Sequence, residues 1–422
     1  NDGKVRLIRD NILQNQHVLD VEVSNYGEVG LLGITSMDST VYLFFQEAFH
    51  DGGLMLESRI YSYTWNGQKL IEPKLVKTLP GWSEGGAGHY SGVFTTDLSK
   101  NVYFVIGNQY KFGTLQNYLP SESFNCNIKA VVCDSSQNVS FSDSIEYTIS
   151  CINVSFHHYT TNPFSYQTQQ PDLSDNPWET NLSFILQNIQ SCFKGFIYNN
   201  FSNGNWEDTS VILKIVPNDD DYYAIGVRNS FGLTVDPLTG NLWMTDNGND
   251  KYDEINLVLE KSNLGATKYV GPVNKESVAT VPGYEEYVYK NPEFIWELPV
   301  GVTSLEFVDS NMFKKYKNWL FVADSHNGNI YKFKLNSDRT GFVFNSPHLE
   351  DNIVNILSKP AGITEDTDFT RIDYSTFLVE PMDEILFGKN FGIISDITFG
   401  PDGSLYVISF MDGTIYKISL KI

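Results

Sequence analysis

A short unit recurs along this chain and narrows the folds open to it: an apolar strand, a turn centred on Asp, and a second strand of apolar and aromatic residues. It is read at Gly33–Leu43, Gly92–Phe104, Gly232–Met244 and Asp396–Val407. A fuller version pairs Trp319–Leu335 with Ser404–Leu420, each a strand, a Gly-containing turn (Asn327-Gly328, Asp412-Gly413) and a second strand of alternating polarity. Both are predicted β-hairpins. A lone unit of this size cannot cover its own apolar face, whereas a series of them stacked in space can, as the blades of a propeller do. Tyr42, Tyr103, Trp243, Phe321 and Tyr406 are the aromatic anchors of these units. The interval between Tyr103 and Trp243 holds a further strand candidate, Ser210–Val216, and is long enough for another blade. The expected fold is therefore all-β, a six-bladed β-propeller spanning residues 1–422 as one domain, with five or seven blades as neighbouring counts. Stacked β-sandwiches would account for the strands but not for the repeat.

Composition supports this and restricts function. Aromatic residues make up 14% of the chain, and aromatic and β-branched side chains pack well on pleated sheets. With 29 Lys and Arg against 51 Asp and Glu, the formal charge is −22. That field repels the phosphate backbone, so nucleic acid is not an expected partner. No apolar run is long enough to span a bilayer, so no transmembrane segment is expected.

Residues 110–209 break the repeat and read as an elaborated surface insertion within the propeller, with Pro163, Pro171 and Pro177 interrupting any regular element. All four cysteines lie here, Cys126, Cys133, Cys151 and Cys192. Their clustering suggests two local disulfides formed in an oxidising compartment, with three pairings left open and four free thiols as the other reading. The same stretch carries the N-x-Ser/Thr acceptors Asn138, Asn153, Asn181 and Asn200, so a glycosylated, secreted or cell-surface protein is expected. The insertion is also a surface through which a partner could be held. A milder irregularity, Leu264–Pro299, is interrupted by four prolines.

Three segments at blade edges carry chemistry. Gly85–Gly92 places His89 at the start of a strand, where an imidazole can take a proton from a hydroxyl, although a structural turn histidine reads the same way. Arg228-Asn229 opens the next blade with a rigid cationic fork and an amide, suited to an anionic or carbonyl-bearing ligand, or equally to a framework ion pair. Asp246–Leu257 gathers carboxylates and amides, hard oxygen donors of the kind calcium takes, without the spacing of an EF-hand; a solvated acidic turn is the alternative.

The order of these segments resembles the glucose/sorbosone dehydrogenase family of pyrroloquinoline quinone enzymes. The resemblance begins at Gly27–Gly33, runs through His89–Gly92 with Tyr103–Gln109, Arg228-Asn229 with Gly232-Leu233, and Asp253–Leu257, and ends at Gly400–Val407. It implies a six-bladed propeller with cofactor and substrate over its central opening. By resemblance, His89 accepts the proton of a sugar hydroxyl while hydride passes to the quinone, and Arg228 sits over the reactive carbonyl. Asn229 matches a cofactor-contacting Asn, and Glu28 stands where some relatives have a cofactor-contacting Gln. A calcium ion is expected on carbonyls near Gly248 and Asn249, with Asp253 and Glu254 in the adjoining acidic loop.

The chain also departs from the family. A cofactor-binding Lys of relatives falls on His326, and two Arg positions fall near Ile393 and Ser395. An anionic cofactor is thereby less compensated. The leading expectation is a quinoprotein oxidoreductase that oxidises a sugar or other polyol hydroxyl and passes electrons to an external acceptor. The other is a noncatalytic extracellular propeller that binds a glycan or protein after losing cofactor affinity. No nucleophile with a central set of calcium ligands favours a lactonase.

Overall fold

A computed structural model of the chain describes residues 2–10, 12–81, 88–111, 113–118, 131–133, 139–141, 207–215, 222–358, 377–410 and 412–419. The chain divides into two compact units, one of Asn1–Leu119 with Asn205–Ile422 and one of Pro120–Gly204. In the second unit the described strands Val131–Cys133 and Val139–Phe141 pair antiparallel. Cys126, Cys151, Cys192, Asn138, Asn153, Asn181 and Asn200 lie outside the described residues, as does the side chain of Cys133.

The first unit is all-β and built from successive sheets. The first sheet is an antiparallel meander of β1 (Leu31–Met37), β2 (Thr40–Ala48), β3 (Met55–Trp65) and β4 (Leu70–Leu79). The second contains β5 (Val93–Thr96), β6 (Val102–Ile106), β7 (Val211–Ile215) and β8 (Tyr222–Ile225), extended by short parallel strands at Ser262–Asn263 and Val288–Tyr289. The third runs β9 (Gly232–Val235), β10 (Leu242–Asp246), β11 (Asp253–Val258) and β12 (Phe294–Trp296), with Ile353–Val354 on its edge. The fourth is β13 (Val302–Phe307), β14 (Leu320–Asp324), β15 (Ile330–Phe333) and β16 (Leu386–Gly388). The fifth is β17 (Ile394–Phe399), β18 (Leu405–Ser409) and β19 (Thr414–Ile418). The leading strands β1, β5, β9, β13 and β17 lie side by side in chain order.

Period-2 alternation explains how each sheet serves two neighbours. On β14, Leu320 and Val322 join the core shared with the third sheet, while Phe321 and Ala323 face the fifth. On β10, Trp243 turns toward the fourth sheet, and Leu242 and Met244 toward the second. Phe44, Ile60 and Leu79 close the first sheet against Phe94, Phe104 and Leu213 of the second. The other face of the first sheet is covered by the chain's N-terminal segment, where Val5, Val18 and Leu19 meet Leu43, Phe45 and Tyr63.

The expected hairpins at 319–335 and 404–420 form as β14–β15 and β18–β19. Gly328 takes φ +64° and Gly413 φ +56° in their turns, the left-handed region that glycine enters without a Cβ penalty. Five such sheets form among the described residues, and the strand that suggested a further blade, Val211–Ile215, pairs with β6. In sequence, residues 107–210 lie between these two adjacent strands of the second sheet.

Candidate functional site

His89 and Arg228 are far apart in sequence, and both stand just before the leading strand of a sheet, β5 and β9. The end of β6 joins them. Asn108 N donates to Arg228 O at 2.9 Å and Gln109 N to His89 O at 3.1 Å. Gly107 makes this crossing feasible, since a Cβ there would sit 2.4 Å from His89 O and 2.6 Å from Arg228 O. Ser91 Oγ adds a further tie by accepting from Ser230 N at 2.9 Å.

The His89 imidazole is buried and has a fixed environment. Burial, reinforced by the nearby Arg228 charge, pushes its pKa down to about 3, so it is neutral at physiological pH. Its Nδ1 lies 2.7 Å from Asn108 Oδ1. Asn108 presents oxygen there because its Nδ2 donates to Thr267 Oγ1 at 2.5 Å while Oδ1 also accepts from Tyr110 N at 3.1 Å. An amide oxygen only accepts, so Nδ1 carries the proton and Nε2 is left with its lone pair. Tyr110 packs its ring on the imidazole, centroids 4.0 Å apart.

Glu28 bridges the two segments. It accepts from His89 N at 2.6 Å and, through the same oxygen, from Asn229 Nδ2 at 3.3 Å. Its pKa is raised by burial, with these hydrogen bonds opposing the shift. Asn229 Oδ1 is buried without a hydrogen-bond partner, an acceptor in the site awaiting a donor.

The Arg228 guanidinium is anchored to the turn between β10 and β11. Its Nη1 donates to Asn247 O at 2.7 Å and Gly248 O at 2.8 Å, and Nη2 to Asn249 Oδ1 at 3.2 Å. Asp246 lies beneath, accepting from Arg228 N at 2.8 Å and Asn229 N at 2.6 Å. Burial raises the Asp246 pKa to about 6 against these donors. Asp253 accepts from Gly248 N with one oxygen and from Val300, Gly301 and Val302 N with the other. Glu254 accepts from Gly271 N at 2.6 Å and Asn256 Nδ2 at 3.2 Å, and burial raises its pKa to about 8.

His89, Arg228, Asn229 and Glu28 therefore converge. His326 stands in the turn between β14 and β15, exposed, with Nδ1 3.3 Å from Pro299 O and its backbone N donating to Val300 O at 3.1 Å. Gly248, Asn249, Asp253 and Glu254 sit close in the fold but each is already engaged. As arranged they do not fit calcium: the turn oxygens hold a guanidinium, and the carboxylates hold backbone N–H groups or an amide. Among the described residues no group of three or more His, Cys, Asp or Glu is placed to hold a metal ion. Asn229 Oδ1, buried without a partner, is the acceptor of the cluster that a ligand N–H would meet, and Arg228 is its cation.

Sequence reasoning missed Asn108, Tyr110 and Thr267 as members of this cluster. Asn108 belongs to a quoted run, Tyr103–Gln109, but nothing in a polar residue after a strand says which side chain it will meet.

Comparison with known proteins bears on the fold. The family model "Glucose / Sorbosone dehydrogenase" matches residues 204–358, a stretch that includes Arg228 and Asp253–Leu257 but not His89. The aldose sugar dehydrogenase YliI of Escherichia coli is 23% identical over 121 residues, which cover 28% of this chain and 33% of that protein. The match thus spans about a third of that relative. A glucose dehydrogenase-type oxidoreductase from Thermus thermophilus superposes with a TM-score of 0.54 at 17% identity, over 97% of this chain and 85% of that one. The pyrroloquinoline quinone-bound aldose sugar dehydrogenase of Streptomyces coelicolor gives 0.50 at 15%, over 97% and 82%. The protein is distantly related to the glucose/sorbosone dehydrogenase-like proteins, and it shares their fold.

Proposed function

We propose that this protein is a quinoprotein oxidoreductase that oxidises a hydroxyl of a sugar or other polyol. The observation that carries the reading is the neutral imidazole of His89, its Nδ1 proton directed to Asn108 Oδ1 and its Nε2 left as a base, next to a buried guanidinium. Nε2 takes the hydroxyl proton as the carbon–hydrogen bond gives up hydride. Pyrroloquinoline quinone, when bound, would supply the hydride acceptor, with an external acceptor as the final sink for the two electrons. Arg228 and Asn229 would hold it, the guanidinium opposing negative charge that develops at the accepting carbonyl and the amide oxygen taking a donor. Glu28 keeps His89 and Asn229 in register through its two hydrogen bonds, and Tyr110 screens one face of the imidazole from water.

The test is dye-linked oxidation of aldoses and sugar alcohols by protein reconstituted with the quinone. Wild-type protein turns over, and His89→Gln, folded by circular dichroism, loses about 100-fold or more in kcat, within the range of a general base. Turnover retained in that variant would remove His89 from the role. A second reading, a noncatalytic binding module, is favoured by one observation: the positions where relatives supply cofactor cations are Ile393 and Ser395 here.

A further inference from the structure

Glu28 carries more acceptor capacity than its neighbours use. One oxygen, Oε2, accepts from His89 N at 2.6 Å and from Asn229 Nδ2 at 3.3 Å; the other, Oε1, has a long contact of 3.5 Å to the same Nδ2. Oδ1 of that amide is buried without a hydrogen-bond partner among the described residues, on a residue that is 5% exposed. Two adjacent acceptors are thus left for a donor from outside. The positive charge of this region is engaged elsewhere. Arg228 directs three hydrogen bonds to the turn at 247–249 and feels the buried carboxyls of Asp246 and Asp253, and Lys111 Nζ donates to Gln109 Oε1 at 3.1 Å.

We infer that Glu28 selects a substrate carrying a cationic nitrogen, an amino sugar, over its neutral parent. The inference rests on the oxidation proposed above and adds the substrate class to it. An ammonium brings three N–H donors and a positive charge to the leftover acceptors, where a hydroxyl brings one donor and no charge. Tyr110, exposed and close enough to feel the Glu28 charge, adds an aromatic ring that also favours a cation. Burial raises the Glu28 pKa, and an ammonium beside it stabilises the ionised form as its present hydrogen bonds do. Gln, which by resemblance stands here in some relatives, has the same shape and an acceptor oxygen but no charge.

The test compares glucosamine, N-acetylglucosamine and glucose at about pH 6.5, where an amine of this kind is protonated. Quinone-loaded wild type oxidises glucosamine with a kcat/KM about tenfold or more above that for glucose, mainly through KM, and N-acetylation or added salt removes the gain. Glu28→Gln also touches His89 and Asn229, so the readout is the ratio between the two sugars rather than the rate on either; it falls to about one. A ratio near one in wild type, or a preference that Glu28→Gln keeps, would overturn the inference. If Glu28→Gln does not fold, the wild-type ratio and its loss on N-acetylation and in salt decide. Calorimetry on the quinone-free chain separates this from failure of the proposed activity. Tighter binding of glucosamine than of glucose, with the difference lost in Glu28→Gln, upholds the selection even where no sugar is oxidised; without turnover, equal or undetectable binding of both overturns it.

Discussion

Asn108 sets the chemistry of His89 by a single amide oxygen, and its substitution separates orientation from charge. In Asn108→Asp a carboxylate faces the Nδ1 proton and stabilises the imidazolium, so the His89 pKa rises from its depressed position near 3. The pH profile of kcat/KM for the reconstituted enzyme should then gain an acid limb above about pH 5 that wild type lacks. An unchanged profile would show that Asn108 does not govern the base. The depressed pKa also has a stability consequence. The folded state holds His89 neutral while the unfolded chain takes up a proton below about pH 6.5, so the contribution is complete above that value and is lost as pH falls toward 3. Between about pH 7 and about pH 5, wild type should lose about 2 kcal/mol relative to His89→Gln in urea unfolding. The sequence makes His89 and Arg228 visible because a Gly-rich turn and an Arg-Asn pair each open a strand. Asn108, Tyr110 and Thr267 stay hidden because their roles arise where three loops cross.

Strand pairing decides what was legible among the elements. The hairpins β14–β15 and β18–β19 were readable, since two short strands and a Gly turn are contiguous and keep one polarity pattern. The partner of β6 was not, because residues 107–210 separate it from β7 in sequence and periodicity carries no record of pairing. Gly107, at the end of β6, is where the pairing serves the site. Gly107→Ala would press a methyl group into two backbone oxygens, and overpacking of this kind costs about 1–3 kcal/mol. Because the displaced oxygens belong to His89 and Arg228, kcat should fall with stability; thermal melts and dye-linked assays check both. Trp296→Ala, within the core between the third and fourth sheets, should cost about 3–5 kcal/mol with the site's chemistry otherwise intact.

For the whole molecule, a formal charge of −22 means that the folded chain repels itself. Raising salt from about 10 mM to about 150 mM should raise the urea midpoint, because the Debye length shortens from about 30 Å to about 8 Å. A midpoint that falls would mean that ion pairs, such as part-buried Arg339 with buried Asp236, outweigh the net repulsion. The same charge bears on the proposed function, since an anionic cofactor would have to reach Arg228 through this field. Calorimetric titration of the purified chain with pyrroloquinoline quinone therefore bears most heavily on the proposed activity. Saturable binding at one site, weakened about tenfold or more by Arg228→Ala, is the expected result; no saturable heat at any salt concentration would contradict it.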